Sequence, residues 1–160
     1  VSLECFASPL NARLSEYCSL FQDTDRAFGS FGSFFDFSFP DRDEGYSCQA
    51  NPPFEAAVML ACTTRIVHLV STRDLPLSFV VILPAHATAA IQALLDAGFT
   101  TTASAPNRYI GEAHHQHRGA SSPRAHGFPG ATHIHLVQNQ AGAARWPATQ
   151  ESLQRVAEAW

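Results

Sequence analysis

The chain has 160 residues, of which 46% are hydrophobic and 15% charged, and its net charge is −4 at pH 7. This composition excludes an intrinsically disordered chain and predicts one folded domain. The negative net charge excludes attraction to nucleic acid through bulk charge. Contacts with nucleic acid would need local groups of arginine, because the sequence contains no lysine.

The first predicted elements in chain order are a strand, a turn and a helix. Residues 1–6 are mostly apolar and predict a buried strand, which Pro9 ends. Residues 10–21 carry apolar side chains at helical spacing and predict a helix. Residues 22–39 are rich in Gly, Ser, Asp and Phe, and residues 34–37 within them are a candidate short strand.

The later elements alternate between strands and helices, which predicts an α/β layered fold with a mostly parallel sheet. The predicted strands are residues 46–50, 77–83, 99–104 and 132–138. The predicted helices are residues 55–71, 85–97 and 151–160. The polar stretch at residues 107–130 predicts a long loop or hairpin.

The sequence predicts neither a membrane span nor a metal site. No stretch of about 18 apolar residues occurs. Cys5, Cys18, Cys48 and Cys62 lack the Cys-x-x-Cys spacing of zinc sites, and we expect them to be reduced and buried. We expect an intracellular protein without a signal peptide.

The sharpest chemical motif is Asn51-Pro52-Pro53-Phe54, directly after a predicted strand. Ligands bind at the carboxyl ends of parallel strands. The Asn51 side-chain oxygen and the Pro52 carbonyl are two acceptors that can hold both N–H bonds of a conjugated amino group and stabilise positive charge developing on its nitrogen. Phe54 can stack on the attached ring. The motif therefore predicts methyl transfer to a planar amine.

Two alternatives to this interpretation stay open. Asn51 could simply cap the following helix after a proline turn. If the motif is catalytic, adenine, cytosine and protein glutamine are all acceptable substrates, because each presents a planar amino group.

A site for the methyl donor is predicted before this motif, in the loop after the first strand. Residues 6–11 there include small side chains that let the backbone approach a ligand, although they also suit a structural turn. Asp23, Asp25 and Asp36 are candidates for the acid that holds a ribose, or else solvated turn residues.

The same residues resemble the phosphorylated-CTD-interacting-factor family. The resemblance begins with Glu4-Cys5-Phe6-Ala7-Ser8-Pro9-Leu10-Asn11 and extends over nearly the whole chain in order. It continues through residues 21–25, 28–30 and 32–34, Ala50-Asn51-Pro52-Pro53-Phe54, residues 77–80, 136–139, 144–146 and 151–153. One departure is Pro84-Ala85-His86, where the family usually follows the proline with an acid and a tryptophan.

The resemblance implies S-adenosyl-L-methionine as donor and the cap-adjacent 2′-O-methyladenosine of mRNA, methylated on N6, as substrate. It implies a Rossmann-like class I methyltransferase fold, with a mostly parallel sheet, helices on both faces and a C-terminal antiparallel strand. The implied domain spans residues 1–160 and is incomplete at its N terminus. The implied catalytic residues are Asn51, Pro52, Pro53 and Phe54. The implied donor-binding residues are Glu4, Phe6, Ala7, Ser8, Pro9, Asn11, Asp23 and Asp25.

The resemblance also implies partners and a location. The partner is the capped 5′ end of mRNA, in the nucleus, with RNA polymerase II machinery contacted through regions outside this chain. No WW domain is recognised in the sequence. Arg118 and Arg124 are candidate contacts to cap phosphates, and Tyr109 is a candidate for stacking on a base or for anchoring a hairpin.

Six of the eight histidines fall between His114 and His135. A metal site, contact with cap phosphates and a solvated loop are the three interpretations, and the spacing matches no standard metal-binding set. For the whole chain, the alternatives to cap methylation are amino-methylation of another substrate and an inactive family member that serves as a binding module.

Overall fold

The computed structural model describes residues 2–105 and 132–159, which form a mixed sheet with helices. The sheet has five strands: β1 (Leu3–Glu4), β2 (Tyr46–Ala50), β3 (Leu77–Pro84), β4 (Thr100–Ala105) and β5 (Thr132–Gln138). The helices are α1 (Gln22–Asp25), α2 (Ala56–Thr72), α3 (Thr88–Asp96), α4 (Gln140–Arg145) and α5 (Gln150–Ala159), and a 3₁₀ turn covers Arg26–Phe28.

The strand order is β1-β2-β3-β5-β4. β1, β2 and β3 are parallel to one another, whereas β5 runs antiparallel to both of its neighbours. Two isolated parallel bridges extend the sheet beyond β1, from Glu4 to Tyr17 and from Tyr17 to Ser30. The chain therefore leaves β1 toward one side of the sheet and returns to form β2 on the other side.

Apolar side chains of β3 are buried on both faces of the sheet, which explains its continuous apolar run. Leu77, Phe79, Val81 and Leu83 belong to the main core, which includes the buried residues of α2 and α3. Ile82 belongs to a second, smaller cluster with residues of β5 and α5. Helices thus pack on both faces of the described sheet.

Most of the elements predicted from periodicity are confirmed. The strand at residues 46–50 is β2 with the same ends, and the helix at residues 55–71 is α2, displaced by one residue at each end. Gly98 follows the end of α3 with a φ of 75°, a conformation that favours glycine. The strand predicted at residues 99–104 is β4, displaced by one residue at each end, and it lies at the edge of the sheet.

The predicted helix at residues 10–21 is wrong. The side chain of Leu10 is 98% exposed, and the buried residues Tyr17 and Cys18 are adjacent rather than one helical turn apart. The stretch runs beside β1, where the Cys18 N–H donates to the Glu4 carbonyl at 2.8 Å. Pairing with the sheet edge therefore overrides the local helical pattern.

The candidate strand at residues 34–37 is also wrong, because the chain turns there. The Asp36 and Phe37 N–H groups both donate to the Ser33 carbonyl, which closes the turn. Phe34 is buried, and so the aromatic residues here serve the core rather than a strand ladder.

The four cysteines are buried and unlinked, as expected. Burial raises the pKa of Cys18 and of Cys62 to about 12. Burial also raises the pKa of Cys5, and a hydrogen bond with Cys48 adds to this effect. The thiols of Cys5, Cys18 and Cys62 therefore stay protonated and behave as small core residues.

Candidate functional site

The candidate site lies at the carboxyl ends of β1 and β2. The chain leaves β1 toward Tyr17 and Ser30, and leaves β2 toward β3, so the connections from these neighbouring strands go opposite ways. Ligands of doubly wound folds bind at such a switch point, in the crevice between the two loops. The structure therefore brings the two predicted loops, residues 6–11 and 51–54, to adjacent strand ends.

Asn51 directly follows β2 and is half-buried. Helix α2 is capped by Glu55, whose Oε2 accepts a hydrogen bond from the Val58 N–H at 2.9 Å. The alternative in which Asn51 caps this helix is therefore wrong. Within residues 2–105 and 132–159, no group hydrogen-bonds the Asn51 carboxamide, which leaves its oxygen available to a ligand.

The two prolines and Phe54 shape the turn between β2 and α2. Pro52 is buried, and its carbonyl accepts no hydrogen bond from the part of the chain that the structure describes. Pro53 is exposed, and its carbonyl accepts from the Glu55 N–H at 2.7 Å. The ring of Phe54 is half-buried and packs against the main core.

The loop after β1 is a turn closed by its own side chains. The Asn11 Oδ1 accepts hydrogen bonds from the Ser8 N–H at 2.7 Å and from the Ser8 hydroxyl at 3.1 Å. The Ala7 N–H donates to the Cys18 carbonyl at 2.9 Å. Ala7, Ser8 and Pro9 are half-buried. Asn11 therefore shapes this loop, and a ligand would meet backbone and small side chains.

Aromatic side chains support the loop from the core side. The ring of Phe6 lies 5.3 Å from Phe34 and 5.9 Å from Phe35, between ring centroids. Both pairs are tilted or edge-on, the arrangements that aromatic quadrupoles favour. Phe6 is half-buried, so one side of the cluster borders the crevice.

Glu4 ends β1 with a buried side chain. Its Oε2 accepts hydrogen bonds from the backbone N–H groups of Arg13 at 2.8 Å and Leu14 at 3.3 Å. These bonds hold a carboxylate at the crevice and at the same time fix the loop that follows.

The candidate ribose acids follow Tyr17 at the same edge of the sheet. Asp23 is exposed and accepts a hydrogen bond from the Thr24 N–H, and Asp25 is half-buried and accepts from the Thr24 hydroxyl at 3.2 Å. The two ion pairs found among the described residues include neither Asp23 nor Asp25. Asp36 is exposed beyond Ser30.

Gln49 is a residue that the sequence analysis missed. It pairs with Glu4 across the β1–β2 ladder and lies two residues before Asn51. Since Cys48 and Ala50 are buried in the main core, strand alternation places Gln49 on the opposite face. That alternation was present in the sequence and could have identified it.

Two hollows in the described part of the chain lie away from these strand ends. A cavity of about 680 Å³ lies at the amino ends of β2 and β3, where Arg42 and Arg73 already pair with Glu16 and Asp41. An apolar groove of about 620 Å³ runs along the outer side of α2 beside Phe35. Neither contains a residue of the predicted site.

Several predicted residues fall outside the described part of the chain. Tyr109, Arg118 and Arg124 are among them, as is the histidine cluster at residues 114–117. Among the residues that are described, no cluster of His, Cys, Asp and Glu could hold a metal ion. Over the same residues, every helix is too short or too polar to cross a bilayer.

Comparison with known proteins gives a family match, and the relatives found include two whose alignments cover the whole chain. The family described as "Phosphorylated CTD interacting factor 1 WW domain" matches residues 1–118. Its description includes a WW domain, which the sequence analysis did not recognise, and the matched stretch contains the parallel strands β1–β3 with α1–α3.

The relatives are the mRNA (2′-O-methyladenosine-N(6)-)-methyltransferases of Homo sapiens and Mus musculus, each 33% identical over 172 residues. The alignments cover 100% of this chain and 23% of each relative, so the chain spans about a quarter of their length.

Proposed function

Because the chain belongs to the phosphorylated CTD interacting factor 1 family, we propose that it transfers methyl groups from S-adenosyl-L-methionine to N6 of adenosine in RNA. The observation that carries the proposal is that the loops following β1 and β2 lie at adjacent strand ends. One presents the uncommitted acceptors of Asn51 and Pro52, and the other is the small-residue turn at residues 6–11.

The strand order supports a Rossmann-like methyltransferase domain over residues 1–160. Read across the sheet from Ser30 through Tyr17 to β1, β2 and β3, the order matches the 3-2-1-4-5 arrangement of the doubly wound fold. The antiparallel β5 beyond β3 agrees with the C-terminal antiparallel strand expected of this class. Strands 2 and 3 of that arrangement are here reduced to single bridges.

The residues around the crevice fit the proposed donor. Asp25 can accept hydrogen bonds from ribose hydroxyls, and the turn at Ala7 and Ser8 lets backbone approach the ligand. The half-buried ring of Phe6 provides an apolar wall. When bound, S-adenosyl-L-methionine supplies an electrophilic methyl group on a sulfonium.

The protein contributes orientation and charge stabilisation to the reaction. Asn51 Oδ1 and the Pro52 carbonyl each accept one N–H of the exocyclic amine, which directs the nitrogen lone pair out of the ring plane. As the amine is methylated, positive charge develops on its nitrogen beside these two oxygens. The neutral amine needs no strong base beforehand, and the surplus proton passes to water.

The proposed substrate follows the printed activity of the relatives, which act on 2′-O-methyladenosine in mRNA. We propose the cap-adjacent position, the nucleus as location, and RNA polymerase II machinery as a partner. Contacts from Arg118, Arg124 and Tyr109 to the capped end belong to the same proposal.

The test compares Asn51→Ala with the unchanged chain in a methylation assay on capped RNA that begins with 2′-O-methyladenosine. We expect transfer to fall by at least about 100-fold, the typical cost of removing one such acceptor or donor. Binding of S-adenosylhomocysteine, measured by calorimetry, should change by less than about 2-fold, because Asn51 is proposed to hold the amine rather than the donor.

Other substrates distinguish the alternatives. If uncapped RNA, DNA adenine or a glutamine peptide is methylated as fast as capped RNA, the chemistry stands but the cap is not required for substrate recognition. Binding of S-adenosylhomocysteine without transfer to any of these would indicate an inactive family member that binds the donor. Full activity of Asn51→Ala would contradict the assigned role.

Phe54 gives a second, independent test. Phe54→Ala should raise KM for RNA by about 5-fold to 150-fold, because the stacking it is proposed to provide is worth about 1–3 kcal/mol per base. Phe54→Tyr keeps an aromatic face and should retain most of the affinity. Unchanged kinetics in the alanine variant would remove the stacking role.

A further inference from the structure

The apolar groove along the outer side of helix α2 lies away from the strand ends at which methyl transfer is proposed. Phe35 lies on one side of it, and the lining residues of α2 recur at helical spacing: Ala57, Leu60, Ala61, Thr64, Arg65 and His68. From Ala57 to His68 it extends over about three turns of the helix, or about 17 Å. This surface is called the α2 groove below.

The α2 groove presents apolar atoms to solvent. Leu60 and Phe35 are 40% and 36% exposed. Ala57, Ala61 and Thr64 are exposed as well, and their small side chains leave room for another backbone to approach α2 closely. Apolar residues gathered in one concave strip are typical of an interaction site, whereas exposed apolar residues that are scattered singly need no explanation.

The spacing of the lining residues fits a helix as the occupant. Ala57, Ala61 and Thr64 form a row of small residues along α2, with the larger Leu60 and Phe35 beside it. The side-chain ridge of one helix packs into such a groove on another, and an amphipathic helix in an apolar groove is a recurring mode of recognition. An added strand would instead need an open sheet edge, which the outer side of a helix does not provide.

One end of the α2 groove is basic. Arg65 and His68 line it there, and no Asp or Glu lines the groove. The Arg65 Nη2 donates to the Phe37 carbonyl at 2.6 Å, and its guanidinium carbon lies 5.4 Å from the centre of the Phe34 ring, so the group is held in place. Neither of the two ion pairs found among the described residues includes Arg65. Its positive charge is therefore complementary to a carboxylate on a partner.

The composition of the α2 groove disfavours two other occupants. A second copy of this chain that used the same surface would offer Arg65 no carboxylate, because no acidic residue lines the groove. RNA is held mainly through its phosphates, and a mostly apolar groove with one arginine is poorly suited to that contact. A protein helix that carries an acid fits both the shape and the charge.

Beyond the proposed methyl transfer, we propose that the α2 groove binds an amphipathic helix of a separate protein. This helix lays a ridge of apolar side chains along Ala57, Ala61 and Thr64, and places a Glu or Asp side chain beside Arg65 and His68. The apolar contact supplies most of the affinity, and the carboxylate fixes the direction in which the helix lies.

The experiment selects partner helices for the 160-residue chain from a displayed peptide library. Each peptide has about 18 residues, with alanine, glutamine and lysine on one helix face and random residues on the other. We expect the selected peptides to share apolar residues at every third or fourth position and a Glu or Asp toward one end. In a synthetic copy, replacing that acid by Gln should raise the Kd by about 5-fold to 10-fold, because a charge-assisted hydrogen bond at a partly exposed site is lost.

Matched variants of the chain locate the bound peptide. Ala61→Trp fills the α2 groove and should raise the Kd by at least about 10-fold, because the partner ridge then meets a bulky ring. Ala56→Trp, at an exposed position of the same helix outside the groove, should change the Kd by less than about 2-fold. Thr64→Arg blocks the groove with a good helix former and replaces Ala61→Trp if that variant fails to fold, as judged by circular dichroism.

Several results would overturn the proposal. They are a library that yields no binder, selected peptides without a preference for an acid, and peptides that bind the groove variants as tightly as the unchanged chain. Binding of single-stranded RNA, or dimerisation in analytical ultracentrifugation, would overturn it too if Ala61→Trp abolished that binding or dimerisation. All of these measurements are made without methyl transfer, so their outcome is independent of the proposed function.

Discussion

At the scale of single residues, the buried side chain of Asn139 hydrogen-bonds four backbone groups. Its Oδ1 accepts from the N–H groups of Leu77 at 3.0 Å and Gly142 at 2.8 Å. Its Nδ2 donates to the carbonyls of Arg73 at 3.0 Å and Leu75 at 2.9 Å. One buried amide therefore joins the start of β3 to the first turn of α4.

Replacing Asn139 should destabilise the fold. Asn139→Ala leaves four backbone groups without their partner, two of them buried, and we expect the free energy of unfolding to fall by about 2–4 kcal/mol. Urea denaturation measures this change. Gln140→Ala, at an exposed neighbouring position, is the matched control and should change stability by less than about 0.5 kcal/mol.

At the scale of elements, the start of α2 determines the geometry of the Asn51–Phe54 turn. Because Glu55 supplies the cap, Asn51 keeps its carboxamide for the crevice. Helix α2 is further fixed by Arg65, whose Nη2 donates to the Phe37 carbonyl at 2.6 Å. The helix thus holds both the turn at residues 51–54 and the aromatic segment that ends at Phe39.

Removing the cap should weaken α2. Glu55→Ala leaves an N–H of the first turn without its acceptor, and we expect a loss of about 0.5–1 kcal/mol in the free energy of unfolding. Glu55→Asp, which retains a carboxylate, should recover most of that loss. Equal stability of the alanine variant and the unchanged chain, measured by thermal denaturation, would show that the cap contributes nothing.

At the scale of the whole molecule, buried His135 makes stability depend on pH. Burial, together with the nearby His133, lowers its pKa from 6.5 to about 4. The unfolded chain therefore binds a proton at this position before the folded chain does. Stability from this residue is present above pH 6.5 and is lost as pH falls toward 4.

The pH dependence should largely disappear in His135→Leu. Between pH 7 and pH 5 the unchanged chain should lose about 2 kcal/mol more unfolding free energy than this variant, from the difference between the two pKa values. His68→Ala, which removes an exposed histidine, should follow the unchanged chain. Parallel curves for all three proteins would contradict the assignment to His135.

The sequence by itself determined β2, α2, β3 and β5 from local patterns. The burial of β2 alternates, the buried residues of α2 recur at helical spacing, and the apolar run of β3 is buried almost throughout. It also determined the family, because the motif around Asn51 and the segment ending at Asn11 are contiguous sequence motifs. These properties depend on residues that are close together in the chain, and such local patterns can be read directly from the sequence.

Only the tertiary structure decided the rest. Residues 10–21 have helical spacing, but hydrogen bonds to β1 pull them into the sheet edge. The choice of Glu55 rather than Asn51 as helix cap, and the pairing of Gln49 with Glu4, depend on where β2 ends and which strand adjoins it. The Glu4–Gln49 pair joins residues 45 positions apart, and no local pattern encodes which strand becomes the partner in the folded chain.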